Sequence, residues 1–265
     1  MGLNRMLRIY FMQQCFQLSD PGMEDALYDS ESMRRFAHIE LGTDSVPDES
    51  TILNFRHLLE EHDLTAKLFS EVQGYLEGHG LMLKEGTIVD ATIIDAPSST
   101  KNRDRKRDPE MTSTKKGNQW YFGMKAHVGV DAHSGLVHTV VCTTASVHDS
   151  QVMEDLMHGA EDTLYGDKAY ANQEKKELFE AVGGKWCVAR KATPARSLSE
   201  RDKNWNRRMS RVRSKGEHPF RIVKDLWGYA KVRYRGILKN ACQLFTLFAL
   251  ANIFSARHKI IKLQG

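Results

Sequence analysis

The feature that most constrains the fold is a short apolar segment with a charged residue at its centre, GTIVDATIIDA at residues 86–96. Its β-branched residues predict a β-strand. Asp90 lies in the middle of this segment, and an unpaired carboxylate in a core strand is energetically expensive. The fold therefore has to bring cations or hydrogen-bond donors to Asp90.

The spacing of apolar residues changes at this segment. Residues 1–80 carry apolar residues at helical spacing and predict an all-α N-terminal region. From residue 85 onward, strand-like and helix-like segments alternate, and the chain becomes helical again from about residue 199. Residues 120–146 predict a hairpin that turns at DAHSG, and the polar stretch before them predicts a long loop. We expect an α/β fold over residues 85–265, with a mixed sheet and helices on its faces.

The clustering of basic residues indicates a polyanionic partner. The 265-residue chain has a net charge of only +4, but its lysines and arginines concentrate at 101–107 and 201–224. The four cysteines are widely spaced and form no CxxC pair, which argues against a zinc ribbon or disulfide framework and is typical of a reducing cytosol. The most apolar run, residues 241–254, is too short for a membrane span, so we expect a buried helix and no membrane partner.

Two further acids are positioned to join Asp90. Asp167 ends the strand-like segment DTLYGDKAY, directly after Gly166, and Glu217 lies on a later helical segment. If the two strands are neighbours, both aspartates can meet at one edge of the sheet, and the helix can bring Glu217 to the same point. Three close carboxylates stay ionised only around cations, and their oxygens favour Mg²⁺ or Mn²⁺. Two such ions about 4 Å apart are suited to phosphodiester cleavage.

Glu217 is surrounded by basic residues in RVRSKGEHPFRIVK, residues 211–224. The ordinary interpretation is a solvated helix in which Glu217 pairs with Arg213 and Arg221. The alternative is that Glu217 binds a metal ion while its neighbours bind DNA phosphates. The candidate phosphate-binding residues, here and elsewhere in the chain, are Arg213, Arg221, Lys224, Lys168 and the loop residues Arg103, Arg105, Lys106 and Arg107.

Two local features leave alternatives open. Gly216 and Pro219 predict a kink or a helix start within the basic segment. The segment HDSQVMEDLMHG at residues 148–159 predicts a helix capped by Asp149 or Ser150.

Five motifs in order resemble bacterial insertion-sequence transposases of the DDE type, specifically the insertion-sequence-five family. They are GTIVDATII, WYFGMKAHVGVD, VHDS, GDKAY and RVRSKGEHPFRIVK…GYAKVRYRGILKN. The similarity covers nearly the whole chain, including MLRIYFMQQCFQLSDPGMEDALYD near its start.

The resemblance implies an RNase H-like catalytic domain with two divalent ions, Mg²⁺ or Mn²⁺. Carried over residue by residue, it makes Asp90, Asp167 and Glu217 the catalytic, metal-binding triad. Because the family pattern places HD after the third strand, the resemblance also makes His148 or Asp149 a second candidate for contact with the site. The wider group also has a Tyr, an Arg and a Lys around the glutamate, spaced Y-x2-R-x3-E-x6-K. Arg213 and Lys224 match this spacing, whereas Ser210 stands at the position of the tyrosine.

The resemblance also implies a polynucleotidyl transferase and endonuclease that cleaves DNA at transposon ends and joins them to target DNA. A homodimer on DNA is expected, because two element ends must be paired. The expected location is the bacterial cytoplasm, in association with the nucleoid. Family members of full length carry an additional N-terminal segment, so we expect the helical region 1–80 to be truncated at its start and to discriminate element ends poorly. The alternatives are a truncated, non-catalytic DNA-binding regulator of its element and a host nuclease of the same fold.

Overall fold

The computed structural model describes residues 1–103, 105–192 and 197–264, without the side chain of Gln264. The stretch before the first strand is helical and fully described. Its helices are α1 Leu3–Phe16, α2 Asp20–Asp29, α3 Glu31–Ala37, α4 Glu49–Glu61 and α5 Leu64–Gly78. Ser19 caps α2 and Asp48 caps α4, each by accepting a backbone N–H with its side chain. Apolar residues of α1 to α4 pack into one cluster that includes Met6, Ile9, Met23, Leu27 and Ile52.

A mixed six-stranded sheet follows within the described residues. Its strands are β1 Gly86–Asp95, β2 Thr112–Lys116, β3 Gln119–Asp131, β4 Val137–Thr144, β5 Thr163–Gly166 and β6 Lys185–Val188. β3 pairs antiparallel with β1. It also pairs antiparallel with β2 along its first residues and with β4 along the residues that follow. β5 pairs parallel with β1, and β6 pairs parallel with β5. The segment that contains Asp90 is therefore an interior strand with a neighbour on each side.

The polar stretch that was predicted to be a loop contains β2, so this prediction was wrong for residues 112–116. β2 pairs residue by residue with the start of β3, from Thr112 opposite Gly123 to Lys116 opposite Gln119. Its sequence TSTKK lacks apolar alternation, and its strand conformation depends on hydrogen bonds to β3 rather than on burial. The predicted basic loop precedes β2, and its residue Asp104 lies outside the described residues.

The main hydrophobic core lies between the sheet and the last helix, α8 Ile237–Gln264. Val128 and Val130 of β3 belong to the same buried cluster as Leu244 and Phe248 of α8. The apolar run at 241–254 is too short to cross a membrane. The whole helix α8 extends beyond this run at both ends, and by length and composition alone it could cross one. More than half of its apolar window, 56%, is buried inside the protein, as in the core helix of a soluble protein.

The opposite face of β1 is covered by short helical turns. The segment that was predicted to be one helix forms two 3₁₀ turns, Asp149–Gln151 and Glu154–Leu156. The first is capped by His148, whose side chain accepts the backbone N–H of Ser150, so the predicted cap was wrong. Another 3₁₀ turn, Lys168–Tyr170, and helix α6 Gln173–Ala181 connect β5 to β6.

The basic segment belongs to a long helix, α7 Glu200–Arg221. α7 begins with a capping box of Ser199 and Asp202 and runs without interruption through Gly216 and Pro219. A helix start at these two residues was therefore a wrong prediction. A π-helical turn, Ile222–Leu226, follows directly, which fits the loss of one backbone donor at Pro219 in the preceding turn.

Candidate active site

The strand register brings Asp90 and Asp167 to equivalent positions on neighbouring strands. β1 and β5 are parallel, and Ile88 lies opposite Tyr165. Two residues further along each strand lie Asp90 and Asp167, the latter directly after β5. The Asp167 side chain accepts the backbone N–H of Ala169 at 2.7 Å and so caps the following turn. Both carboxylates thus leave the sheet at the same level.

Helix α7 crosses β1 at this level. A Cβ atom built on Gly216 would lie 2.9 Å from Cγ2 of Ile88 and 3.9 Å from Cβ of Asp90. Because Gly216 has no side chain, the helix backbone can lie directly on β1. Glu217 is the next residue and is exposed to solvent. The fold therefore delivers the third predicted acid beside the first.

Burial and the charges around Asp90 shift the pKa of its carboxyl group. Burial raises the pKa of its carboxyl group to about 6, and the Asp167 and Glu217 carboxylates also raise this pKa. The Ala91 N–H, donated to Asp90 Oδ1 at 2.8 Å, and the Arg213 guanidinium act in the opposite direction. An acid under repulsion from two other acids is in the state that a divalent cation relieves.

The three acids are neighbours, but they do not form a ready-made metal cage. Among the residues that the structure describes, no three His, Cys, Asp or Glu side chains come together as a group that could hold a metal ion. The assignment of Asp90, Asp167 and Glu217 as metal ligands stays a prediction. Their carboxylate oxygens are the donor type that Mg²⁺ and Mn²⁺ prefer, so their chemistry fits such ions.

The predicted phosphate-binding residues of α7 and of the π-helical turn differ in solvent exposure and in how many of their hydrogen-bond donors are used within the protein. Arg213 is half-buried, one helical turn before Glu217, and Arg221 is exposed. Lys224 donates from Nζ to Oγ1 of Thr92 at 3.2 Å and to the carbonyl oxygen of Ile93 at 3.0 Å. Two of its three donors are thus used by β1, which leaves one for a ligand.

The remaining predicted phosphate-binding residues are exposed. Lys168 directly follows Asp167. Arg107 is tied to the protein, because its Nε donates to the Ser98 carbonyl at 2.8 Å and its guanidinium lies 5.3 Å from the centre of the Phe122 ring. The other exposed members of this loop are Arg103, Arg105 and Lys106.

Sequence reasoning missed Tyr170, which lies beneath the site. Its side chain is only 1% exposed, and its hydroxyl group has no hydrogen-bond partner among the described residues. Burial raises the pKa of this phenol well above its usual value, and the carboxylates of Asp149, Asp90 and Asp167 raise it further. Asp149, a weaker candidate from the sequence, is ion-paired with Lys125 at 2.8 Å. The only sequence signal for Tyr170 was its place in GDKAY, three residues after Asp167.

Comparison with known proteins gives the family of the chain. A family model described as Transposase DDE domain matches residues 82–253, and one described as Transposase domain (DUF772) matches residues 1–58. Among solved structures, the chain is similar to a piggyBac transposase synaptic complex with hairpin DNA. The sequence identity is 10%, the TM-score is 0.42, and the match covers 96% of this chain and 67% of the piggyBac chain. It is also similar to the Mos1 strand transfer complex, with 11% identity, 86% and 80% covered, and a TM-score of 0.24.

The first family match spans most of the chain, including all six strands and the positions of Asp90, Asp167 and Glu217. The mixed α/β sheet behind a helical N-terminal region confirms the expected RNase H-like fold. The chain belongs to the Transposase DDE domain family of insertion-sequence transposases.

Proposed function

We propose that this chain is a transposase of the insertion-sequence-five family that cleaves DNA at the ends of its element and joins the 3′-hydroxyl groups to target DNA. The observation that carries the proposal is the meeting of Asp90 and Asp167 at one sheet level, with α7 laid across Asp90 and Glu217 next in the chain. That arrangement belongs to a chain matched by a DDE transposase family.

In this proposal, Asp90, Asp167 and Glu217 would hold two Mg²⁺ or Mn²⁺ ions. Such ions activate an attacking oxygen and stabilise the leaving oxygen of a phosphodiester. Asp90 lies on β1 and Asp167 directly follows β5, so the pairing of these two strands keeps the two acids in a constant relation to each other. Glu217 stands on the helix that crosses them, so a shift of α7 changes the shape of the site.

Basic side chains hold the DNA backbone on either side of the acids. Arg213 is close enough to Asp90 to affect its pKa, which burial raises and this guanidinium lowers. Arg213 is therefore suited to contact the phosphate that reacts. Arg221 and Lys168 are exposed near Glu217 and Asp167 and can contact phosphates further along the strand. The protein thus supplies position and charge rather than a covalent intermediate.

We also propose the wider setting of this activity. The chain would act as a homodimer on two element ends in the bacterial cytoplasm, with a helical region at 1–80 and a catalytic region at 85–265. Buried contacts between these regions, such as Tyr10 Oη to Thr246 Oγ1 at 3.0 Å, support their working as one unit in each protomer.

The test is incubation of the protein with end-labelled duplexes that carry the element ends, in the presence of Mg²⁺, with nicked and joined products scored separately. Nicks and joined products support the transposase. Nicks without joining, also from pre-cut ends, support a host nuclease. Binding without either product would indicate the non-catalytic regulator.

A further inference from the structure

The start of β3 forms a two-stranded ribbon with β2 that projects beyond the sheet. The pairing of β1 with β3 ends with Asp95 opposite Gly123, and that of β4 ends with Thr144 opposite Met124. Before Gly123, the strand pairings of β3 in the described residues are with β2 alone. We call residues 112–121 the β2–β3 ribbon. Its turn contains Gly117, whose φ of +61° suits a residue without a side chain.

The ribbon presents an aromatic ring and a lysine on the face of the sheet that carries Asp90. Asp90 lies opposite Val128, and side chains along β3 alternate between the two faces, so Trp120 shares the face of Val128. Lys115 pairs with Trp120 and therefore lies on that face as well. The Trp120 side chain is 67% exposed. A large exposed ring beside a lysine, on the face crossed by α7, is a surface without a partner in the part of the chain that the structure describes.

The charge of this surface selects its partner. Residues 111–124 contain no aspartate or glutamate, and they include the exposed Lys115 and Lys116. Burial lowers the pKa of Lys224; the Asp95 carboxylate opposes this effect, and the Lys116 ammonium adds to it. Lys116 of the ribbon and Lys224 of the π-helical turn are therefore electrostatic neighbours and form a positive field beside the candidate active site. Such a field attracts a polyanion, and an exposed tryptophan can contact its sugars and bases.

The length of β3 sets the distance between the ribbon and the acids. Trp120 precedes Val128 by eight residues, which is roughly 26 Å along a strand. On duplex DNA this corresponds to about eight base pairs. A two-stranded β-ribbon also has the width that the major groove accepts.

We propose that the β2–β3 ribbon enters the major groove of bound duplex DNA about eight base pairs from the phosphodiester at Asp90, with Lys115 and Lys116 on phosphates and Trp120 against the nucleotides. This inference rests on the proposed function, because it takes the bound DNA to reach both the candidate active site and the ribbon. It adds a contact region to the basic residues of α7 and of the loop at 101–107.

The fluorescence of Trp120 tests the contact directly. Titration with a mixed-sequence duplex of about 30 base pairs, without metal, is followed in the unmodified protein and in Trp120→Phe. The difference between the two signals isolates Trp120 from the other three tryptophans of the chain. We expect DNA to quench this difference signal and to protect it from iodide.

Salt dependence tests the two lysines. The double variant Lys115→Ala, Lys116→Ala should reduce the slope of log affinity against log salt by about two phosphate contacts, roughly 1.8. The matched control, Lys259→Ala with Lys262→Ala, removes two exposed lysines from the end of α8 and should leave the slope unchanged. All four lysines are exposed, and thermal melting checks that each variant is folded.

The outcomes separate the ribbon from the proposed function. If the unmodified protein does not bind duplex DNA, the proposed function fails and the ribbon contact fails with it. If the unmodified protein binds DNA but the Trp120 signal and the salt slope match the controls, the ribbon inference is wrong while the proposed function stands.

Discussion

At the scale of single residues, Asp90 combines burial with repulsion. Its pKa is raised to about 6, first by burial and then by the carboxylates of Asp167 and Glu217, with Arg213 opposing them. A neutral side chain of the same shape would avoid this cost. The acid therefore destabilises the metal-free fold, which is the usual sign of a residue kept for chemistry rather than for packing.

The substitution Asp90→Asn should stabilise the metal-free protein at pH 7.5 by about 2 kcal/mol. The folded-state pKa lies above that of the unfolded chain, so the folded protein holds this proton more tightly. Ionisation consequently lowers stability as the pH rises from about 4 to about 6, and the asparagine variant escapes this loss. Urea unfolding at pH 7.5 and at pH 4 measures the difference, which should vanish at the lower pH. Asp155→Asn, at an exposed acid, is the control, and an asparagine variant less stable than the parent at pH 7.5 would contradict the argument.

The substitution Glu217→Gln should abolish DNA cleavage in Mg²⁺ while leaving DNA binding unchanged or tighter. The neutral amide is a much weaker ligand for a divalent cation than a carboxylate, and removal of a negative charge does not weaken attraction to phosphate. Cleavage gels and fluorescence anisotropy give the two readouts. Glu200→Gln, an exposed acid on the same helix, should retain cleavage. Near-normal cleavage by the Glu217 variant would exclude the proposed role.

At the scale of secondary-structure elements, the site depends on the contact between α7 and β1. Gly216 permits this contact, because a Cβ atom there would lie 2.9 Å from Cγ2 of Ile88, inside normal packing distance. The β-branched residues of β1 resist displacement, because they are part of the buried sheet. A side chain at 216 therefore has to move the helix, and Glu217 moves with it.

The substitution Gly216→Ala should destabilise the protein by about 1–3 kcal/mol and lower cleavage on the order of tenfold to a hundredfold. The matched control is Gly74→Ala in α5, where a Cβ atom would meet nothing within 4 Å. That control should stabilise the protein by up to about 1 kcal/mol, because alanine favours a helix more than glycine does. Urea unfolding and cleavage rates distinguish the two. Equal effects at both positions would show that the close packing of α7 on β1 is unimportant.

At the scale of the whole molecule, buried polar contacts hold the N-terminal helices against the catalytic part. Arg56 of α4 is only 6% exposed and forms ion pairs with Asp20 at 3.1 Å and Glu60 at 2.9 Å. Its guanidinium also lies 4.3 Å from the centre of the Tyr234 ring, which precedes α8. One side chain therefore joins two N-terminal helices to the segment that leads into the core helix.

The substitution Arg56→Ala should destabilise the protein by about 3 kcal/mol, because it leaves two mostly buried carboxylates without their cation. Adding Asp20→Asn and Glu60→Gln should recover part of that loss. Arg35→Ala is the control, since the ion pair of Arg35 with Glu31 is exposed and contributes little. Unfolding curves that show similar losses for both arginines would refute the role of burial.

The sequence by itself indicated the family of this protein and determined much of its local structure. The β-branched run around Asp90 is a strand. Ser19 and Asp48 are the N-caps of two helices, and DAHSG forms the turn between β3 and β4. These features depend on residues within one or two turns of each other, so spacing and capping reveal them. The resemblance of five motifs to DDE transposases likewise required only their order along the chain.

Only the tertiary structure decided which elements meet. β2 has no apolar alternation and exists through its pairing with β3, and α7 continues through Gly216 because that glycine packs on Ile88. The burial of Tyr170 among acids could not be predicted locally, because those acids come from three separate segments. Strand register and helix placement depend on contacts between residues far apart in the chain. Local periodicity therefore predicts that Asp90 lies on a strand, but not that Asp167 shares its level or that α7 crosses it there.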